Sequence, residues 1–110
     1  MKGHEGEKMK YTIDLREAQD REDMHFLFKD VLEFPDYYGC NWDALWDCLT
    51  DMYGDPIHIE IIGLDAFEER CHETKDTLIW ILKRFKHYIP RFEDDVLIEL
   101  VDGDRRVVVE

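Results

Sequence analysis

The sequence predicts an α/β fold: a small parallel three-stranded sheet packed with helices, with one further strand added antiparallel at a C-terminal edge. Three observations carry this. The segments KYTIDL (10–15) and IHIEII (57–62) alternate apolar and polar residues, and VLIELV (96–101) is a short apolar run, so all three read as strands. Stretches with helical apolar spacing separate them, and strands joined by helical crossovers run parallel. Asp102-Gly103-Asp104 followed by RRVVV has the turn chemistry of a hairpin into a last strand.

Residues 1–9 are expected to be a flexible polar leader, with 10–110 forming one domain. A chain of 110 residues with 45% hydrophobic content can build one core but not two ordinary ones. After the first strand, Arg16 to Arg21 is a polar connection. From Glu22 to Phe34 the apolar residues Met24, Leu27, Phe28, Val31 and Leu32 follow a helical period, and the helix must end before Pro35. Asp36 to Cys40 turns around Gly39, and Asn41 is a good N-cap for a helix from Trp42 to about Tyr53. Gly54-Asp55-Pro56 breaks that helix. In the next strand Ile57, Ile59 and Ile61 share a face, and His58 is expected to face solvent or a helix rather than a metal. A short helix follows over Leu64 to His72. Asp76 or Thr74 can cap another through Tyr88, with Leu78, Ile79, Ile81, Leu82 and Phe85 as its apolar stripe, Trp80 as a further packing residue and Pro90 beyond its end.

The helix after Asn41 divides into two faces. At about 100° per residue, Trp42, Leu45, Trp46, Leu49, Met52 and Tyr53 gather on one side and Asp43, Asp47 and Asp51 on the other. Aspartates at i,i+4 spacing repel, and those toward a helix C-terminus oppose the dipole. Asp43, in the first turn, is also explained by helix stabilisation; Asp47 is not. The stripe lies within a wider asymmetry. The net charge is −13, and between Lys29 and Arg70 there are 11 acidic residues and no Lys or Arg. Such a block repels nucleic acid and attracts a basic surface.

Catalytic motifs are absent: there is no G-x-S-x-G, Walker loop, GxGxxG or H-E-x-x-H. Cys71 and His72 are neighbours on a helix and point about 100° apart, which prevents a nucleophile–base pair. Asp43 and Asp47 could form a carboxylate or metal pair, yet nothing beside them supports that chemistry. Neither an enzyme, a cofactor nor a metal site is expected. Cys40, Cys48 and Cys71 lack disulfide or zinc spacing and read as free thiols. No apolar run approaches the roughly 18 residues of a membrane span, and the N-terminus lacks a signal-peptide core, which points to the cytoplasm. The remaining features suit binding: Trp46 borders the acidic side, and Tyr37 and Tyr38 lead into the same helix. Trp46 and Tyr38 fit a core role equally well.

The fourteen residues YYGCNWDALWDCLT, Tyr37 to Thr50, are similar to the signature of the barstar family, intracellular inhibitors of secreted microbial ribonucleases. The likeness extends more weakly over about residues 10–101. It implies a barstar-like fold in which the acidic helix and the loop before it plug the active site of a basic ribonuclease. Asp47 would take the place of an RNA phosphate, Asp43 would pair with Arg or Lys beside it, and Tyr37 would cover the catalytic His. Gly39, Asn41, Trp46 and Thr50 would complete the contact. This sequence departs from the familiar inhibitor at Cys40, Asp51 and Met52, at Lys83-Arg84 where a contacting Glu is found, and in the added hairpin Asp102 to Glu110.

The expected function is therefore inhibition of a ribonuclease or ribonuclease-type toxin, as an immunity protein or antitoxin, with neither nucleic acid nor membrane as partner. The expected binding residues are Tyr37, Tyr38, Gly39, Asn41, Asp43, Trp46, Asp47, Thr50 and Asp51. The alternative is a module of the same fold that binds another basic protein.

Overall fold

Alternating isoleucines build the centre of the sheet. The structure is a computed structural model and describes residues 9–52 and 54–110, with the side chains of Phe92 and Glu93 outside that description. Strand β1 (Met9–Asp14) pairs parallel with β2 (Ile57–Ile62), and β2 parallel with β3 (Val96–Asp102). Strand β4 (Arg105–Val108) adds antiparallel, in the order β1-β2-β3-β4. The register sets Tyr11, Ile59 and Ile98 side by side, and Ile13 beside Ile61. Ile13, Ile57, Ile59, Ile61, Val96 and Ile98 are buried. Of the leader expected over 1–9, Met9 already belongs to β1; the rest lies outside the described residues.

Alternate positions carry the other face of the sheet, which is polar. Thr12 donates to Glu60 Oε1 at 3.1 Å, Arg106 reaches Glu60 at 2.7 Å and Glu99 at 2.9 Å, and His58 Nε2 lies 2.6 Å from Glu99 Oε1. Glu60 is buried beneath these partners, and their hydrogen bonds hold its carboxyl below the usual range. His58 is thus a member of an ion network on a sheet face, in keeping with its strand pattern.

Helix α1 spans Arg21–Leu32. Asp20 caps it by accepting from Asp23 N, while Asp23 accepts from Gln19 N, so two helix-entry donors are satisfied reciprocally. It stops short of the expected Phe34 because Glu33 adopts a left-handed conformation (φ 59°) and Phe34 N closes onto Lys29 O. Helix α2 (Trp42–Thr50) follows, then α3 (Leu64–Arg70) after β2. Arg70 ties α3 to the end of β1, donating to the carbonyls of Leu15 and Ala18 at 2.9 Å each.

Helix α4 (Lys75–Lys86) is capped differently from the expectation. Neither Thr74 nor Asp76 caps it through its side chain. The Glu68 carboxylate, reaching forward from α3, accepts from the N–H groups of Glu73, Thr74 and Lys75. Thr74 is buried and donates its hydroxyl to Cys71 Sγ. A 3-10 segment, Pro90–Asp95, leads into β3, and the Gly103 turn (φ 61°) leads into β4. The edge strand is anchored at both ends: Arg105 pairs with Asp65, and buried Val109 donates to Ile98 O at 2.8 Å. No helix among the described residues is long and apolar enough to cross a membrane.

Candidate functional site: the acidic face of α2 and the loop before it

The loop from Phe34 to Asn41 is fixed by one tyrosine and presents another. Tyr38 N donates to Pro35 O at 3.0 Å, closing a turn that sends successive side chains to opposite sides. Tyr38 goes inward, 7% exposed, with its hydroxyl 2.5 Å from His25 Nδ1 and its ring against Phe34. Tyr37 goes outward and is 83% exposed. Of the two tyrosines expected at a binding surface, only Tyr37 presents its ring to solvent. Burial pushes the Tyr38 phenol well above its ordinary value and lowers His25 to about 4, so His25 is neutral at pH 7. His25 also meets Trp42 edge-on at 5.4 Å, which couples α1, the loop and the first turn of α2.

Asn41 straps the loop to the helix. Its Oδ1 accepts from Ala44 N at 2.8 Å, and its Nδ2 donates back to Gly39 O at 3.3 Å. A Cβ on residue 39 would sit 3.2 Å from that same Nδ2, so glycine leaves room for the strap. Between them Cys40 holds a left-handed conformation (φ 54°), a strained choice for a non-glycine residue.

Leu45, Cys48 and Leu49 bury the inner face of α2. Asp43, Asp47 and Asp51 are exposed on the outer face, and none has an ion-pair partner among the described residues. Their field is felt nearby: burial first, then Asp51 and Asp47, raises the Cys48 thiol above its ordinary value. Thr50 donates its hydroxyl to Asp47 O at 2.9 Å, closing the last turn. Trp46 is half-buried, edge-on to Tyr88 at 5.1 Å, with the Arg84 guanidinium over its ring at 4.5 Å.

The 11-residue acidic block proves less uniform in space than in sequence. Glu60 is met by Arg106 and Lys10, Asp65 by Lys75 and Arg105, and Asp36 by Lys29 at 3.9 Å, while Glu68 caps α4. Bases from both flanks thus meet Asp36, Glu60 and Asp65, whereas the three aspartates of α2, like Asp30, Glu33, Asp55 and Glu69, have no ion-pair partner among the described residues. Among the described residues no group of three or more His, Cys, Asp or Glu could hold a metal ion. Cys40, Cys48 and Cys71 are free.

Residues 9–101 match the family described as Barstar (barnase inhibitor). The chain belongs to the barstar family. Within it, the chain is 52% identical over 48 residues to the "Putative ribonuclease inhibitor YrdF" of Bacillus subtilis (strain 168), an alignment covering 44% of this chain and 53% of that protein. The chain therefore spans about half the length of this curated relative. Strand β4 falls beyond the family match, so the hairpin is an addition to the barstar framework.

Two residues beside this face and its loop are placed otherwise than the sequence reading had them. His25 looks like an isolated polar residue, although its spacing of three and seven from Phe28 and Leu32 places it on the buried stripe of α1. Trp80, expected to pack, is instead 58% exposed, with Arg84 lying over its ring at 4.9 Å; Phe85 is fully buried as expected.

Proposed function

We propose that this protein inhibits a basic ribonuclease, or a ribonuclease-type toxin, by plugging its active site with the outer face of α2 and the Tyr37 loop. The observation that carries this reading is the exposure of Asp43, Asp47 and Asp51 together on one face of a short, capped helix, without cationic partners among the described residues. Membership of the barstar family and the name of the Bacillus subtilis relative support it.

A ribonuclease active site is built to hold a phosphate among Arg, Lys and His side chains. Asp47, at the centre of the stripe, offers a carboxylate where a phosphate would lie, and Asp43 pairs with the neighbouring cation. Tyr37 covers the catalytic His. Trp46, Asp51 and Thr50 border the contact, while Gly39, Asn41 and Tyr38 hold the loop in shape. Charges that repel one another along the free helix are neutralised together in the complex, so the helix face is complementary to the partner rather than to itself. Inhibition is by occlusion, without turnover or cofactor. The free thiols suit the reducing cytoplasm.

The test is a titration of barnase-catalysed RNA hydrolysis with the protein. Inhibition that saturates and is lost in Asp47→Ala is expected. Capture of a basic protein with no nuclease activity, together with no effect on barnase at any concentration, would replace this reading with that of a general interaction module.

A further inference from the structure

We infer that β4, the strand beyond the family match, is a pairing edge for a second copy of this chain, joining two sheets antiparallel about a two-fold axis at Val108. Such pairing does not depend on the function proposed above. Strand β4 ends the sheet, and its register with β3 runs unbroken from the Glu99–Val108 pair to the Asp102–Arg105 pair. Val109 N donates to Ile98 O, so in an antiparallel ladder Arg105, Val107 and Val109 are the residues that bond to β3. The main-chain groups of Arg106 and Val108 point away from the sheet, and they make no hydrogen bond among the described residues. An edge of this kind is a template for another strand.

Proteins blunt such edges with free charges, proline, bulges or a covering segment. Strand β4 carries two arginines, yet both are held by acids of their own chain. Arg105 reaches Asp65 at 2.9 Å, and Arg106 reaches Glu60 at 2.7 Å and Glu99 at 2.9 Å. Their charges lie over the two faces of the sheet and do not guard its edge. The strand has neither a proline nor a bulge. What the edge presents is apolar: Val107 is 47% exposed and Val108 42%. On the helix side Val107 also walls a groove shared with Ile79 and Leu100, which extends the apolar surface inward.

Charge and register identify the occupant as a second copy. Two chains of net charge −13 repel over most of their surface, and they meet at least cost where acids are already matched by bases. Around β4 they are matched, at Glu60, Asp65 and Glu99. Three two-fold registers join the outward main-chain groups of one β4 to those of another, centred on Arg106, Val107 or Val108. The first sets Arg106 against Arg106 and is disfavoured. The third sets Val108 against Val108, Val107 against Val109, and Arg106 opposite exposed Glu110 of the second copy, an attraction that the second register lacks. A two-fold pairing also closes at two copies, whereas β4 added to the free edge of β1 would propagate without end. Arg106 to Glu110 spans about 17 Å. The contact is therefore smaller than the roughly 800 Å² per partner of a standard complex, and the dimer forms reversibly with a dissociation constant on the order of 0.1 mM.

The experiment is sedimentation equilibrium of the full chain from about 10 μM to about 1 mM, a range that brackets such a constant. It compares the wild type with Val108→Lys and Val108→Glu, each alone and the two mixed, with thermal unfolding of each. The wild type is expected to pass from monomer to dimer across this range. Each variant alone sets like charges against each other on the axis and is expected to need on the order of ten times the concentration to associate. Mixed in equal amounts, the two variants set opposite charges on the axis and should recover dimer to the wild-type level or above. Val108 is exposed and lies opposite Glu99 on β3, so Val108→Lys should unfold at or above the wild-type temperature, which separates loss of pairing from loss of the fold. A wild type that stays monomeric at the highest concentration would overturn the inference. Wild-type association by Val108→Lys would overturn it too, as would a mixture of the two variants that associates no better than either alone.

Discussion

At the residue scale, His25 and Asp47 are opposites: one a polar group placed where charge is costly, the other a charge placed where the fold gains nothing. His25 titrates near 4 in the folded protein and near 6.5 when unfolded, so the unfolded chain binds the proton first. Its contribution is complete above pH 6.5 and is lost as the pH falls toward 4. The loss reaches about 2 kcal/mol at pH 5 and about 3 kcal/mol at pH 4. Urea unfolding at pH 7.5 and pH 5 should show it, and His25→Gln, which cannot titrate but can accept from Tyr38, should flatten that interval. The carboxylates held low by partners, Glu60 and Asp65, act in a lower window, because their contribution is present above about pH 4 to 4.5 and lost below it. For Asp47, replacement by Ala should leave unfolding stability equal or slightly higher, by a few tenths of a kcal/mol, as a repulsion at i,i+4 is removed. Binding should fall on the order of a hundredfold or more, the loss of a central anchor. A fall in stability with intact binding would reverse the assignment. The exposure of Asp47 was legible in the sequence because the apolar residues of α2 gather on the opposite face; the burial of His25 was not, because it depends on what α2 and the loop bring against it.

Among the elements, β4 shows how an addition can become structural. Its Arg106 lies across Glu60 and Glu99, which face each other on paired strands. Arg106 itself is about half exposed, so the ion pairs alone are partly screened. The larger effect of Arg106→Ala is to leave a buried carboxylate short of a cation, and we expect a loss of about 1–2 kcal/mol in denaturant unfolding. Adding Glu60→Gln should recover part of that loss, and a double variant no better than the single would place the effect elsewhere. The hairpin itself was readable from Asp102-Gly103-Asp104, and its direction from the short turn. The cap of α4 was not, because Glu68 acts from the preceding helix and no local signature at Thr74 or Asp76 describes a donor set reached from outside the helix. The ends of α1 and α2 differ from the expectation for local reasons: a left-handed Glu33 closes the first, and Asp51, whose N–H returns to Asp47 O, caps the second after Thr50.

For the whole molecule, the sequence shows how much charge is present and the fold decides where it acts. The 11 acids between Lys29 and Arg70 suggest a broad field, but bases distant in sequence come to Glu60 and Asp65 through the sheet and α4. Among the acids left without an ion-pair partner, Asp43, Asp47 and Asp51 share one exposed face of α2. Association with a basic ribonuclease should therefore be fast and steeply salt-dependent, with the on-rate falling about tenfold or more from low salt to 0.5 M, since screening acts over about 10 Å at 0.1 M. Dissociation should change far less. Stopped-flow measurements at several salt concentrations check this, and a flat on-rate would make the field incidental. The parallel order of β1, β2 and β3 was legible because helical crossovers leave few alternatives. The union of Trp46, Trp80 and Arg84 was not, because nothing in either helix alone says which faces of α2 and α4 will meet.

The inward Tyr38 also bears on the thermodynamics of association. Its contacts with His25 and Phe34, and the strap from Asn41, restrict the backbone that carries Tyr37 before any partner arrives. A loop held in one shape before docking surrenders little conformational freedom when a partner engages it, so more of the contact energy is retained as affinity. In the complex proposed above, the buried inner tyrosine would act from within the protein, by making its neighbour's position a property of the free protein.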